Sequence, residues 1–182
     1  MIYFTADPHY DHENIIELQS RPFTKLNLMN TTMIKRYNGI VKPEDVVYFV
    51  GDFSLRSARY RNWYMDILRR LNGKKILVLG NHDDLKPFTY VECGFYSVHT
   101  HMEIEIDGIP LVLIHDPAAS CVDRNKVFIV GHIHDLFKVH KNVINVGVEV
   151  WDFAPVSWDQ IKELIEKEVK PWQEEQSIKQ TV

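Results

Sequence analysis

Five apolar stretches of this chain stop at residues that can bind metal or move protons. "YFTA" runs into Asp7-Pro8-His9, "VVYFV" into Gly51-Asp52, and "ILVL" into Gly80-Asn81-His82-Asp83. "LVLI" runs into His115-Asp116, and "VFIV" into Gly131-His132-Ile133-His134. Each ending has an ordinary explanation on its own. Gly, Asn and Asp are turn residues, an Asp caps a helix, and a lone His can sit satisfied in a core. Five such endings in one chain argue for convergence, because open α/β sheets bind ligands beyond the carboxyl ends of their strands. His132 and His134, two apart on a segment read as extended, are expected on the same side.

The residue types select the chemistry. Asp7, His9, Asp52, Asn81, His115, His132 and His134 make a mixed oxygen and nitrogen set without cysteine. Such a set suits Mn, Fe, Zn, Ni or Co, whereas Mg and Ca want oxygen alone. Seven candidate ligands are too many for one ion. A carboxylate can bridge two ions about 3.5–4 Å apart, an arrangement that acidifies a bound water and neutralises charge on a phosphate ester.

The elements that must position these residues follow from periodicity. "MIYFTA", "DVVYFVGDF" and "KKILVLG" read as strands, separated by helical patterns around "ENIIEL", in "NLMNTTMIKRYNGIV" and in "SARYRNWYMDILRRLNG". In the second of these, the apolar residues Leu28, Ile34, Tyr37 and Ile40 fall at roughly helical spacing. That alternation is the rhythm of α/β layers. "HMEIEIDGIPLVLIH" alternates apolar and acidic residues across Asp107-Gly108, a hairpin signal. "KVFIVGHIH" and "NVINVGVEV" read as further strands. "SWDQIKELIEKEV" reads as a helix with a Ser157/Gln160 capping box, and Pro171 is expected to end it. One domain over residues 1–170 and a polar tail over 171–182 are therefore expected.

Composition sets the outer bounds. A chain of 182 residues with 45% hydrophobic and 25% charged residues is long and apolar enough for one substantial core. A net charge of −4 gives no general attraction to nucleic acid or to an acidic membrane. The start, "MIYFTADPHYDH", does not read as a signal peptide, and no apolar run reaches the roughly 20 residues of a membrane span. Cys93 and Cys121 form no C-x-x-C pair, which fits a reduced compartment. A cytoplasmic protein is expected.

Taken in order, Asp-x-His, Gly-Asp, Gly-Asn-His-Asp, a later His and Gly-His-x-His resemble the calcineurin-like metallophosphoesterase superfamily, over residues 7 to 134. The small size and "NVGVEVW" look like its compact bacterial and phage predicted phosphoesterases. The resemblance implies a four-layer α-β-β-α sandwich of two mixed sheets flanked by helices. It also implies two divalent ions, manganese foremost. One would take Asp7, His9, Asp52 and His134, and the other Asp52, Asn81, His115 and His132, with Asp52 as the bridge. His82 would face the scissile phosphate and assist the leaving oxygen, and Asp83 would orient it. Ile114 departs from the pattern, since many members have Gly before the fourth-motif His. His12, Arg21 and Arg56 follow the first two motifs and are candidate phosphate contacts, set against a reading as ordinary loop or helix-surface residues.

The function so implied is a dimetal-dependent phosphoester hydrolase, a phosphodiesterase or phosphomonoesterase acting on a small, nucleotide-like substrate. A metal-bound hydroxide would attack phosphorus. A non-catalytic scaffold is the competing class. One retromer subunit that resembles this fold lacks the third-motif histidine, whereas His82 is retained here. A nuclease is disfavoured by the acidic charge and by the lack of a nucleic-acid module.

Overall fold

In the computed structural model, which describes residues 1–55, 60–117 and 123–180, the apolar runs become the strands of two sheets. The chain starts with β1 (Ile2–Thr5), α1 (Ile15–Leu18), α2 (Leu26–Ile40), β2 (Val46–Val50), α3 (Arg61–Arg70) and β3 (Lys74–Val78). It continues through α4 (Pro87–Cys93), β4 (Ser97–His99), β5 (Met102–Ile106), β6 (Ile109–Leu113) and β7 (Val127–Val130). β8 (Val139–His140), β9 (Val143–Asn145), β10 (Val156–Ser157), α5 (Trp158–Leu164) and α6 (Lys170–Gln180) complete it.

The first sheet has the order β10-β1-β2-β3-β4 and the second β5-β6-β7-β9-β8. Both are mixed: β1 to β4 run parallel with β10 antiparallel at the edge, and β6, β7 and β9 run parallel between antiparallel β5 and β8. Parallel neighbours need crossovers, and in the first sheet α2, α3 and α4 supply them.

Alternation along each strand splits the core in two. Tyr3, Val47, Phe49 and Leu77 face the helices and pack with Met33, Tyr37, Tyr64 and Leu68. Phe4, Val50 and Val78 face the other way and meet Leu111, Leu113 and Ile129 of the second sheet. Each such side chain taken out of water contributes roughly 1.5–3 kcal/mol. α5 and the turn after it add Trp158, Ile161, Ile165 and Val169 to the inter-sheet cluster. At one end the sheets are stitched together: the Ala6 amide donates to Val146 O at 2.8 Å and the Val148 amide to Ala6 O at 3.0 Å.

The hairpin forms as read, with Asp107 and Gly108 both at positive φ (52° and 76°). The capping box also forms, Ser157 Oγ accepting from the Gln160 amide. Several expectations change. On α2 the buried residues are Met29, Asn30, Met33, Ile34 and Tyr37, with both methionines in the helix-side cluster, while Leu28 and Ile40 are exposed. α4 and β4 have too short a pattern to be read from periodicity. "VEVW" is a 3-10 turn (Val148–Trp151) and not a strand, since the Ala6 bridge ends the ladder at Gly147. Pro171 does not end the last helix, which runs on through Gln180. A π turn over Ile165–Val169 widens the helix just before the proline, where its ring would otherwise meet the preceding carbonyls. Among the described residues no helix is long and apolar enough to cross a membrane.

Candidate metal centre

The carboxyl ends of β1, β2, β3, β6 and β7 meet at the stitched end of the sandwich. Asp7, His9, Asp52, His132 and His134 all have left-handed backbones, with φ between 46° and 70°. Non-glycine residues rarely adopt that region and do so mostly where function holds them there. Neighbouring amides and carbonyls fix these turns. Asp7 donates its amide to Gly51 O at 3.1 Å, His9 to Asp52 O at 3.1 Å and Tyr10 to Phe53 O at 2.9 Å. Glycine is required at two of the strand ends. A Cβ on Gly80 would sit 2.1 Å from Asp52 Oδ1, and one on Gly51 2.2 Å from His115 Nδ1.

Asp52 lies at the middle. Its Oδ1 accepts the His82 amide at 2.9 Å, and its Oδ2 lies 3.5 Å from His9 Nε2 and 3.3 Å from His115 Nε2. Asp7 Oδ1 is 4.0 Å and 3.9 Å from the same two nitrogens. Asp7, His9 and His134 bring ligand atoms together on one side, and Asp7, Asp52 and His115 on the other. Asn81 Oδ1 extends the second group, 3.1 Å from His115 Nε2 and 2.9 Å from His132 Nδ1. The two Gly-His-x-His imidazoles therefore diverge. Their left-handed backbones replace the extended segment read from the sequence, so His132 turns to Asn81 and His134 to His9, whose ring it stacks on at 5.4 Å.

The donors fit divalent ions. His9 is 1% exposed, yet both its ring nitrogens lack a hydrogen-bond partner. Leaving buried polar atoms so costs roughly 1–3 kcal/mol each, and an ion held jointly with the carboxylates is the partner this set suits. Burial pushes the His9 imidazole down to about 2 against the pull of Asp52, which keeps it in the neutral form that ligation requires. His115 Nδ1 faces Val50 O at 2.8 Å, a carbonyl that takes a proton there and leaves Nε2 for the centre. Burial alone would raise Asp52, but the hydrogen bond and charge of His115 hold it below the usual carboxylate range. In the opposite sense, burial would lower His115, and Asp52 and Asp7 carry it above the usual imidazole range.

Around this centre the other expected residues divide. His82 presents a ring that is 41% exposed, with Nε2 3.9 Å from Asp52 Oδ2 and its centroid 5.5 Å from that of His9. Asp83 does not reach for the His82 ring. Its carboxylate is buried and accepts the amides of Asp52 (2.7 Å), Gly80 (2.9 Å) and Phe53 (3.0 Å), clamping the second and third strand ends together. His12 packs against His9 at 5.4 Å, with Nδ1 buried and unpartnered. Arg21 is no solvent-facing phosphate contact: it is 4% exposed and its guanidinium is taken up by protein acceptors. It donates to Pro8 O (2.9 Å), Asp7 O (2.7 Å) and Glu149 Oε1 (3.0 and 2.5 Å). Arg56 lies outside the described residues.

Glu149 is a buried neighbour of this centre that the sequence did not disclose. Its side chain is 5% exposed and its Oε1 accepts from His134 Nδ1 at 3.0 Å. Burial would raise it, but His134 and Arg21 hold it below the usual carboxylate range. The available signal was a single Glu inside "NVGVEVW", which strand alternation reads as solvent-facing.

Two mixed sheets with flanking helices, and a His/Asp/Asn cluster where their strand ends meet, define a metallophosphoesterase-type fold. The family model for calcineurin-like phosphoesterases matches residues 1–175, and the chain belongs to that family. It is 35% identical over 174 residues to the uncharacterized protein MJ1445 of Methanocaldococcus jannaschii, covering 91% of this chain and 92% of that one. It is 24% identical to the Gene 66 protein of Mycobacterium phage L5, over 90% and 93% of the two chains. Among solved structures it is similar to AQ665, a protein of unknown function from Aquifex aeolicus. There the TM-score is 0.72 at 30% identity, over 91% of this chain and 99% of that one.

Proposed function

We propose that this protein is a dimetal-dependent phosphoester hydrolase acting on a small substrate. The observation that carries the reading is the Asp52 carboxylate, whose Oδ2 lies between His9 and His115 and within 4 Å of both. One ion would be held by Asp7, His9, Asp52 and His134, and the other by Asp52, Asn81, His115 and His132. Two such ions would supply an acidified water and neutralise charge on the phosphate oxygens.

The protein's own residues then orient and protonate. The carboxylates and imidazoles fix where a phosphate can lie, and the Asp83 clamp keeps the Asp52 and Asn81 turns from drifting apart. His82, anchored by its amide on Asp52 and exposed at its ring, is placed to give a proton to the leaving oxygen. His12, on the same side of His9, is a second imidazole able to contact a phosphate oxygen. The exposed His82 ring favours an enzyme over a scaffold of the same fold, which would need no proton donor at the mouth of the centre.

An aryl phosphodiester carries one negative charge fewer than a monoester dianion and has a good leaving group, so it suits an open centre of this kind. Hydrolysis of bis(p-nitrophenyl) phosphate by the manganese-loaded protein is the expected outcome of a panel of phosphoesters. Turnover of the monoester alone would move the assignment to a phosphatase, and turnover of none would remove it.

A further inference from the structure

We propose that Glu149 is a positioning residue for the metal centre: held by buried Arg21, it receives the Nδ1 proton of His134 and so presents Nε2 to the ion shared with Asp7 and His9. The inference rests on the dimetal reading above and adds a residue outside all five strand-end motifs.

Three observations meet here. First, the hydrogen bond at 3.0 Å occupies His134 Nδ1 and leaves Nε2 as the nitrogen for the cluster with Asp7 and His9. A carboxylate at the far nitrogen of a ligating histidine sets both its tautomer and its ring orientation. Second, Glu149 is itself immobilised. Arg21 grips Oε1 with two nitrogens and gives its remaining donors to the carbonyls of Asp7 and Pro8 and to Met29 Sδ. One guanidinium thus links the first-motif turn to the carboxylate that steers the last-motif histidine. Third, the His134 backbone is held from the same segment. Asn145 is fully buried and donates to His134 O at 2.6 Å and Phe137 O at 2.9 Å, while its Oδ1 accepts the Gly147 amide. Among the described residues no carboxylate is hydrogen-bonded to the His132 ring, whose Nδ1 meets Asn81 Oδ1.

The test uses the full chain stripped of metal, titrated calorimetrically with Mn²⁺ alone. In Glu149→Gln the carbonyl oxygen can keep the place of Oε1, which takes every contact from Arg21 and His134, but it carries no charge, so the grip on His134 should loosen without emptying the core. The expected result is retained capacity for two ions, with one dissociation constant raised about 10–100-fold and the other unchanged. Arg21→Lys keeps the charge but loses the fork and should weaken the same ion. If Glu149→Gln does not fold, Arg21→Lys and the wild type carry the test. Nitrogen-15 NMR of the wild-type zinc-loaded chain should show His134 protonated at Nδ1. Wild-type affinity for both ions in both variants, equal weakening of the two ions, or His134 protonated at Nε2 would each overturn the proposal. So would outright loss of one ion, which would make Glu149 a ligand. A wild-type chain that binds fewer than two ions would instead count against the dimetal reading, and the tautomer would still decide the role of Glu149.

Discussion

At the scale of single residues, His82 is the imidazole left over once the other histidines of the motifs are gathered around the carboxylates. Its amide is tied to Asp52 while its ring is partly open to solvent. The variant His82→Ala should therefore keep the fold and both ions and lose about 10²–10⁴ in kcat on alkyl esters. The loss should shrink on aryl esters, whose leaving group needs no proton. Steady-state kinetics on the two ester types, with metal counted in the same samples, would check it. His82 was legible because it stands beside Asn81 in the third motif and is the one motif histidine that the proposed ligand sets leave over. The Asp83 contact was not, since adjacency in sequence suggested the neighbouring ring while folding gave its oxygens to three buried amides. Glu149 was hidden for a related reason: nothing in its local pattern reveals that a 3-10 turn carries it inward to a buried arginine 128 positions away.

A pH dependence follows from the buried groups of the metal-free chain. Interaction with Asp52 and Asp7 raises His115 above 6.5, and Glu149 and Asp7 raise His134, in both cases against burial. Burial pushes Asp7 and Asp83 up to about 7. Above pH 6.5 the folded chain thus holds protons that the unfolded chain has released, so its stability falls as pH rises. His9, which burial lowers, acts in the opposite sense only below that value. Bound ions reverse the trend, because each proton lost from a ligand is a competitor removed. Thermal unfolding at pH 6.5 and 8.5 should show a falling Tm with chelator present and a growing stabilisation by Mn²⁺. A metal-free Tm that rises over this range would contradict these assignments.

At the scale of elements, the strand ends matter more than the strands. The apolar runs were readable because parallel strands buried on both faces are nearly continuous in Val, Ile, Leu and Phe. Their endings were readable because little else follows them. What periodicity could not convey is that most of the ligand-bearing turns are left-handed, and that the glycines beside them exist for close approach. A Cβ on Gly80 would fall on the Asp52 carboxylate. Gly80→Ala should consequently lower stability by about 1–3 kcal/mol, as overpacking does, and weaken metal binding although no ligand is changed. Denaturant unfolding of the metal-free form, beside calorimetry with Mn²⁺, separates the two effects. The last helix gives the converse lesson. Pro171 is a sound stop signal taken alone, and the π turn before it is tertiary information that no local rule supplies.

At the scale of the whole molecule, two sheets pack face to face, and the candidate centre draws on the strand ends of both. The first contributes Asp7, His9, Asp52 and Asn81, and the second His115, His132 and His134, with the Ala6–Gly147 bridge setting their spacing. Asp52 is the group that the two proposed ions would share, and the account stands or falls on that sharing. The most direct measurement is hydrolysis of bis(p-nitrophenyl) phosphate as Mn²⁺ is added stepwise to the stripped protein, for the wild type and for Asp52→Ala. The account predicts that wild-type activity climbs until two equivalents are bound per chain, vanishes with chelator, and is absent from Asp52→Ala along with tight binding of either ion. Activity that is complete at one equivalent, or an Asp52→Ala chain that still binds two ions tightly, would contradict it.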